Sequence, residues 1–176
     1  TLTIHVAAGT HTESPAIVGA LTGQNSPVII TGAGSGSTTI VGQITVSGGA
    51  SVQITALTGQ LASGNAPLSA GTGGTARVGA DVKFITSAGV SDLYADLGST
   101  IIVLASYSTS GNKTASWETI GGTIAFVGTI VVTITGTPTV SLGFAYASAG
   151  GKIVYDSASL SFSGTISGQQ YQVIHN

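Results

Sequence analysis

From Leu2 to Leu57 the chain runs through short apolar bursts, LTIHV, PVII, TTIV, ITV and VQIT, each followed by small or polar residues dominated by glycine, serine and threonine. Within the bursts apolar and polar positions alternate. Ile44, Val46, Val52 and Ile54 fall on one face of their segments, and so do Ile130, Val132 and Ile134. A period of two predicts strands with one buried and one wet face. The apolar set is mostly Val and Ile, and with Thr these β-branched types favour strands. The pattern predicts strands at Leu2–Val6, Val28–Thr31, Thr39–Val41, Ile44–Val46, Val52–Ala56, Ala76–Val78 and Val82–Ile85. It predicts seven more at Ile101–Ala105, Ile124–Phe126, Ile130–Ile134, Val140–Leu142, Ile153–Tyr155, Leu160–Phe162 and Tyr171–Ile174. The best helical candidate is AGVSDLYADL at 88–97.

Isoleucines at 4, 29, 54, 101, 124 and 153 recur at about 25 residues, with one gap of about twice that. Such a period predicts a solenoid in which inward side chains stack coil on coil. A sandwich or barrel also carries frequent turn signals. Glycine pairs at 48–49, 73–74, 121–122 and 150–151 stand beside strands and favour the solenoid.

Composition narrows the function. Of 176 residues only 6% are charged, and the formal net charge is −2; ordinary domains carry about 25% charged residues. Weak repulsion between copies favours an oligomer. The cations are Arg77, Lys83, Lys113 and Lys152, too few for the basic stripe that nucleic acid requires. Cysteine is absent, so no disulfide or thiolate metal site is available. No apolar run reaches the ~18 residues of a membrane span, and no membrane insertion is expected. The start, TLTIHVAAGTHTE, lacks the basic and apolar regions of a signal peptide. The chain reads as one domain, 1–176, cut from a longer protein.

The opening LTIHVAAGTHTE and SPVIITGAGSGSTTIVGQITVSGGASVQITALT resembles the first coils of right-handed parallel β-helix proteins of the pectate-lyase-like class. LSAGTGGTARVGADVKF, STIIVLASYSTSGNKTASW and GGTIAFVGTIVVTITGTPTVSLGFAYASAGGKIVYDSASLSFSGTISGQQYQV look like a module of bacteriophage tail fibres and baseplate-attached tail proteins. The resemblance implies a right-handed parallel β-helix, a homotrimer, and a place in the phage tail as an extracellular virion component. It implies other tail or baseplate proteins and bacterial surface polysaccharide as partners. Its motifs are glycine and β-branched patterns, which specify architecture and say little about chemistry.

Candidate chemistry is sparse. Asp92 and Asp96, four apart beside Tyr94, are the only close acidic pair in sequence. Paired carboxylates serve glycosidases or bind Ca²⁺; as ordinary residues they are solvated turn positions, with Asp92 capping a short helical turn. Nothing ties Arg77, the only arginine, to them. His5 alternates with Ile4 and Val6 and points outward, His11 sits in a turn, and His175 stands near the end, so no metal site is expected. GAGSGS at 32–37 lacks the lysine and following helix of a phosphate loop and reads as a flexible turn. Thr133, Thr135, Thr137 and Thr139 alternate, but the other coils do not repeat them, which argues against an ice-binding array.

Tyr94, Tyr107, Trp117 and Tyr146 can stack on sugar rings while their polar tips make hydrogen bonds. Tyr94, Tyr107, Trp117 and Glu118 are the candidate glycan contacts; the competing reading puts Trp117 inside the coil or at a subunit contact. The expectation is a structural tail-fibre segment, a rigid rod that contributes to host recognition, without catalytic residues or cofactor. The alternatives are a tailspike depolymerase, which needs a carboxylate cluster, and a bacterial adhesin or autotransporter passenger with the same solenoid.

Overall fold

Each coil turns on three short strands, because each apolar burst is too brief for more than one side of a coil before small residues bend the chain. A computed structural model describes residues 1–19, 26–156 and 159–173 and shows a parallel β-solenoid of about six turns. The first ladder stacks Thr3–His5, Val28–Thr31, Ser51–Thr55, Thr75–Val78, Thr100–Val103, Thr123–Val127 and Lys152–Asp156. The second stacks Gly9–Thr12, Thr38–Val41, Leu57–Leu61, Val82–Thr86, Tyr107–Ser110, Ile130–Thr135 and Leu160–Ser163. The third stacks Ala16–Val18, Ile44–Ser47, Leu68–Ala70, Leu93–Asp96, Trp117–Ile120, Ala145–Ser148 and Tyr171–Val173. Every strand pairs in parallel with the strand one coil away, which removes the sandwich alternative. A small side ladder joins Thr139–Val140 to Ser167–Gly168. First-ladder strands begin at 3, 28, 51, 75, 100, 123 and 152, so a coil takes 23 to 29 residues.

Register follows the alternation. Val28, Val52, Ala76, Ile101, Ile124 and Ile153 stack along one inward row, and Ile4, Ile30, Ile54, Val78, Val103 and Phe126 along another. The expected isoleucine row is therefore split. Ile101, Ile124 and Ile153 do stack, but Ile54 continues into Val78, and Ile29 faces outward in the row of Gln53. Coils of unequal length shift the numbering, so a fixed spacing mixes two rows. Burying each enclosed Val, Ile or Phe of these rows contributes about 1.5–3 kcal/mol relative to exposure, and the stacked rows form one core from Val28 to Phe144. Aromatic side chains take over towards the C-terminal coils. Trp117 lies 4.4 Å from Phe126 and 5.0 Å from Phe144, ring centroid to centroid. Opposite Phe84, the inward position one coil back is Gly59, which leaves room for the ring.

The glycine pairs mark one corner, where the third ladder turns into the first. Positive φ falls on successive residues at Gly48–Gly49, Thr72–Gly73, Leu97–Gly98 and Ala149–Gly150, as in type I′ turns. The turns at Gly48–Gly49, Leu97–Gly98 and Ala149–Gly150 are closed by backbone hydrogen bonds from Ala50 to Ser47, from Ser99 to Asp96 and from Gly151 to Ser148.

Several expectations change. Residues 88–97 hold no helix: Val90, Leu93 and Ala95 are buried, and Leu93–Asp96 pairs with strands on both sides. Tertiary pairing overrides the weak local helical signal. Strands at Gly9–Thr12, Leu68–Ala70, Tyr107–Ser110, Trp117–Ile120 and Ala145–Ser148 escape the hydrophobic pattern because their inward positions hold Ala, Thr, His, Tyr or Trp as well as aliphatics. His11 is in a strand, not a turn, on the row of Ile40, while His5 is exposed as expected. The 32–37 loop is pinned: Ser35 N–H and Oγ both donate to the Asp81 carboxylate, and Thr58 Oγ1 donates to Ser35 O. The outward row of the second ladder does repeat hydroxyls, with Thr10, Thr39, Thr58, then Lys83, Ser108, Thr133 and Ser163 in register. The sequence hid it because the coils differ in length. His175 and Ile174 lie outside the described residues.

Candidate functional site

Alternation in the third ladder sends Leu93 and Ala95 inward and Tyr94 and Asp96 outward. One coil on, Trp117 points inward and Glu118 outward, directly beside Tyr94. One further coil brings Tyr146 beside Glu118. The outward row therefore reads Ser69, Tyr94, Glu118, Tyr146 and Gln172. Strands pack about 4.8 Å apart, so the two tyrosines flank the carboxylate at about 10 Å from each other. Asp96 is the diagonal neighbour of Glu118, roughly 8 Å away between Cα atoms by strand spacing and rise.

The electrostatics couple these groups. Partial burial raises the Asp96 carboxyl above its ordinary range, and the donor hydroxyl of Tyr94 offsets part of that. Burial likewise raises the Tyr94 hydroxyl, helped by the charges of Asp96 and Glu118. One oxygen of Asp96 is buried without a hydrogen-bond partner, packed near Gly71, where a Cβ would lie 2.9 Å from it. Glu118 is oriented by Ser91, whose hydroxyl donates to Oε2 at 2.5 Å. This half-exposed face offers two aromatic rings, acceptor carboxylates and a phenol donor, the groups that bind a polyhydroxylated ring.

The other two candidates are elsewhere. Trp117 and Tyr107 are buried inside the coil, with Trp117 Nε1 donating to the Tyr107 hydroxyl at 2.5 Å. Neither ring is available to a glycan. Tyr107 is held well above the ordinary tyrosine range, chiefly by burial and then by the charge of Asp92. The row adds Tyr146, an aromatic the sequence offers but does not place: only the register aligns it with Glu118.

Asp92 is not a solvated turn residue. It is fully buried, and its carboxylate receives Lys113 Nζ at 2.7 and 2.9 Å. Thr109 Oγ1 donates to it at 2.8 Å and Thr86 Oγ1 at 3.2 Å, while Lys113 also reaches Thr109. The pair joins two successive coils and leaves Asp92 no capacity to act with Asp96 or with a neighbouring chain. Arg77 bonds the Ser51 hydroxyl on the outward face of the first ladder, away from both acids. The chain matches no family model, and no curated protein or solved structure matches it.

Proposed function

We propose that the chain is a structural segment of a phage tail fibre: a right-handed parallel β-helix, three copies side by side, that stiffens the fibre and presents the Tyr94–Glu118–Tyr146 face to bacterial surface glycans. The observation that carries this reading is the unbroken core, with three parallel ladders continuing through every coil. A stack of this kind resists bending and proteolysis because each coil is covered by its neighbours. Right-handed crossovers are the rule for parallel strands. The low charge and the tail-fibre resemblance of the sequence support the trimer and its place in an extracellular virion, in contact with other tail or baseplate proteins. The third-ladder face is the part of the rod best suited to sugar, since Tyr107 and Trp117 are enclosed.

Purified chain is expected to retain capsular or lipopolysaccharide glycans without releasing reducing ends or unsaturated sugars. Tyr94→Ala or Tyr146→Ala should weaken retention by about tenfold, since aromatic contacts contribute about 1 kcal/mol or more, and neither should lower the melting temperature greatly. Retention unchanged by both variants would remove the face from the reading.

A second reading has its own observation. Asp96 and Glu118 share one face, and a carboxyl raised beside an oriented carboxylate is the pairing used by glycosidases. A tailspike depolymerase would then be the better description. Sustained glycan cleavage by the native chain, abolished by Asp96→Asn and by Glu118→Gln, would establish it over the structural one.

A further inference from the structure

The third ladder carries charge of one sign. Its seven strands, from Ala16–Val18 to Tyr171–Val173, hold Asp96 and Glu118 and, among the described residues, no lysine, arginine or histidine. The cations lie elsewhere. Lys113 is enclosed on Asp92, Lys83 stands outward on the second ladder, and Arg77 and Lys152 belong to strands of the first. A sugar on the Tyr94–Glu118–Tyr146 face therefore meets carboxylates and no compensating cation from its own ladder.

The aromatic rings favour the same sign of ligand. The face of a phenol ring attracts a cation within about 6 Å of its centre. Register puts Glu118 one rung from Tyr94 and one rung from Tyr146, and rungs lie about 4.8 Å apart. A cation held at the middle rung is thus in reach of both rings and of the carboxylate between them. All three side chains are half-buried, so water and salt screen them less than a fully exposed pair. The Ser91 hydroxyl fixes Glu118 Oε2. No other hydrogen bond to Glu118 occurs among the described residues, so Oε1 keeps its lone pairs for a ligand. A sugar carboxylate or phosphate would be repelled here, and an acetylated amine brings no charge. We propose that this face selects glycans with free amino groups, the protonated amine of an amino sugar sitting on Glu118 between the two tyrosine rings. The inference rests on the glycan-binding reading of the face and narrows its ligand to one chemical class.

The test uses the 176-residue chain and three probes of equal length: glucosamine oligomers, N-acetylglucosamine oligomers and galacturonate oligomers. Titration calorimetry at low and high salt reads affinity; circular dichroism and melting temperature establish that each variant folds. The native chain should bind the free-amine oligomer about tenfold more tightly than the acetylated one, the combined effect of a half-screened ion pair and cation–π contact. Galacturonate should bind least, and added salt should shrink the free-amine preference. Glu118→Gln should bring the two glucosamine affinities close to equal. If that variant fails to fold, Asp96→Asn replaces it and should reduce the preference by about threefold. Lys83→Gln alters net charge on another ladder and should leave the preference as it is. Equal native affinity for the free-amine and acetylated oligomers overturns the inference and leaves the face a glycan surface. Binding of none of the three probes overturns the inference and counts against the glycan reading too. A preference that survives Glu118→Gln, or that Lys83→Gln shifts as much, overturns the inference alone, because it belongs to net charge and not to this face.

Discussion

At the scale of single residues, the chain encloses one pair of opposite charges, Asp92 and Lys113. Asp92 and Lys113 are enclosed with two threonine hydroxyls that saturate the carboxylate. Removing one partner strands the other in a dry site. Asp92→Asn or Lys113→Met should each lower unfolding stability by about 3–5 kcal/mol, whereas Asp92→Leu with Lys113→Met should recover most of that loss. Denaturant unfolding of both singles and the double decides it; a double variant as unstable as the sum would show that the pair is not coupled. Tyr107 supplies a pH signature. Its folded-state value is raised well above 10.0 by burial, so the fold favours the protonated phenol. That contribution is fully present below about pH 10, the unfolded value, and is lost as pH rises beyond it. Tyr107→Phe keeps the ring, gives up the acceptor of Trp117 at a cost of about 1 kcal/mol near neutrality, and should lose less stability between pH 8 and 11 than the native chain. Melting curves across that range test the sign. None of this was legible in the sequence, where Asp92 reads as a turn residue. Lys113 lies 21 positions away, and only coil register brings the two together.

At the scale of elements, the strands and the repeated corner explain what could and could not be read. Strict alternation located Ile44–Ser47, Ser51–Thr55 and Ile130–Thr135, because their inward side chains are all aliphatic. It failed at Leu93–Asp96 and Trp117–Ile120, where Ala95 and Thr119 take inward positions and Tyr94 and Ile120 take outward ones. Those two strands, with Ala145–Ser148, hold the candidate site, so the face was invisible although Tyr94 and Glu118 were singled out individually. The glycine corner was legible in its position and not in its exceptions. Leu97 stands there with φ at +46° and its side chain 70% exposed. Left-handed geometry is unfavourable for leucine and easier for asparagine, so Leu97→Asn should raise stability by about 0.5–1 kcal/mol. The opposite holds at Gly111, where φ is +85° and a Cβ would fall 2.0 Å from Thr86 O. Gly111→Ala should cost at least about 2 kcal/mol, since backbone must move as well as strain. Thermal unfolding of the two variants reads both signs, and a neutral Gly111→Ala would mean that this corner is looser than the stacking implies.

At the scale of the whole molecule, the proposed function rests on one arrangement: coils stacked in a single register, with Tyr94, Glu118 and Tyr146 aligned on one face as its consequence. A sandwich built from the same strands would scatter those residues and leave no axial core. The chain has no cysteine, which makes register directly measurable with introduced pairs. Lys83 and Ser108 are Cα partners on the outward row of the second ladder, and Thr109, next in sequence, points inward. Parallel neighbours about 4.8 Å apart lie within disulfide reach. Under mild oxidation, Lys83→Cys with Ser108→Cys should form an intramolecular bond in nearly all molecules, detected as a loss of 2 Da per bond and loss of free thiol, roughly the mass of two hydrogens. Lys83→Cys with Thr109→Cys should stay reduced until the chain is unfolded. Efficient bonding of the second pair and not the first would contradict the stacked register, and with it the proposed rod and the glycan-binding role proposed for its outward row.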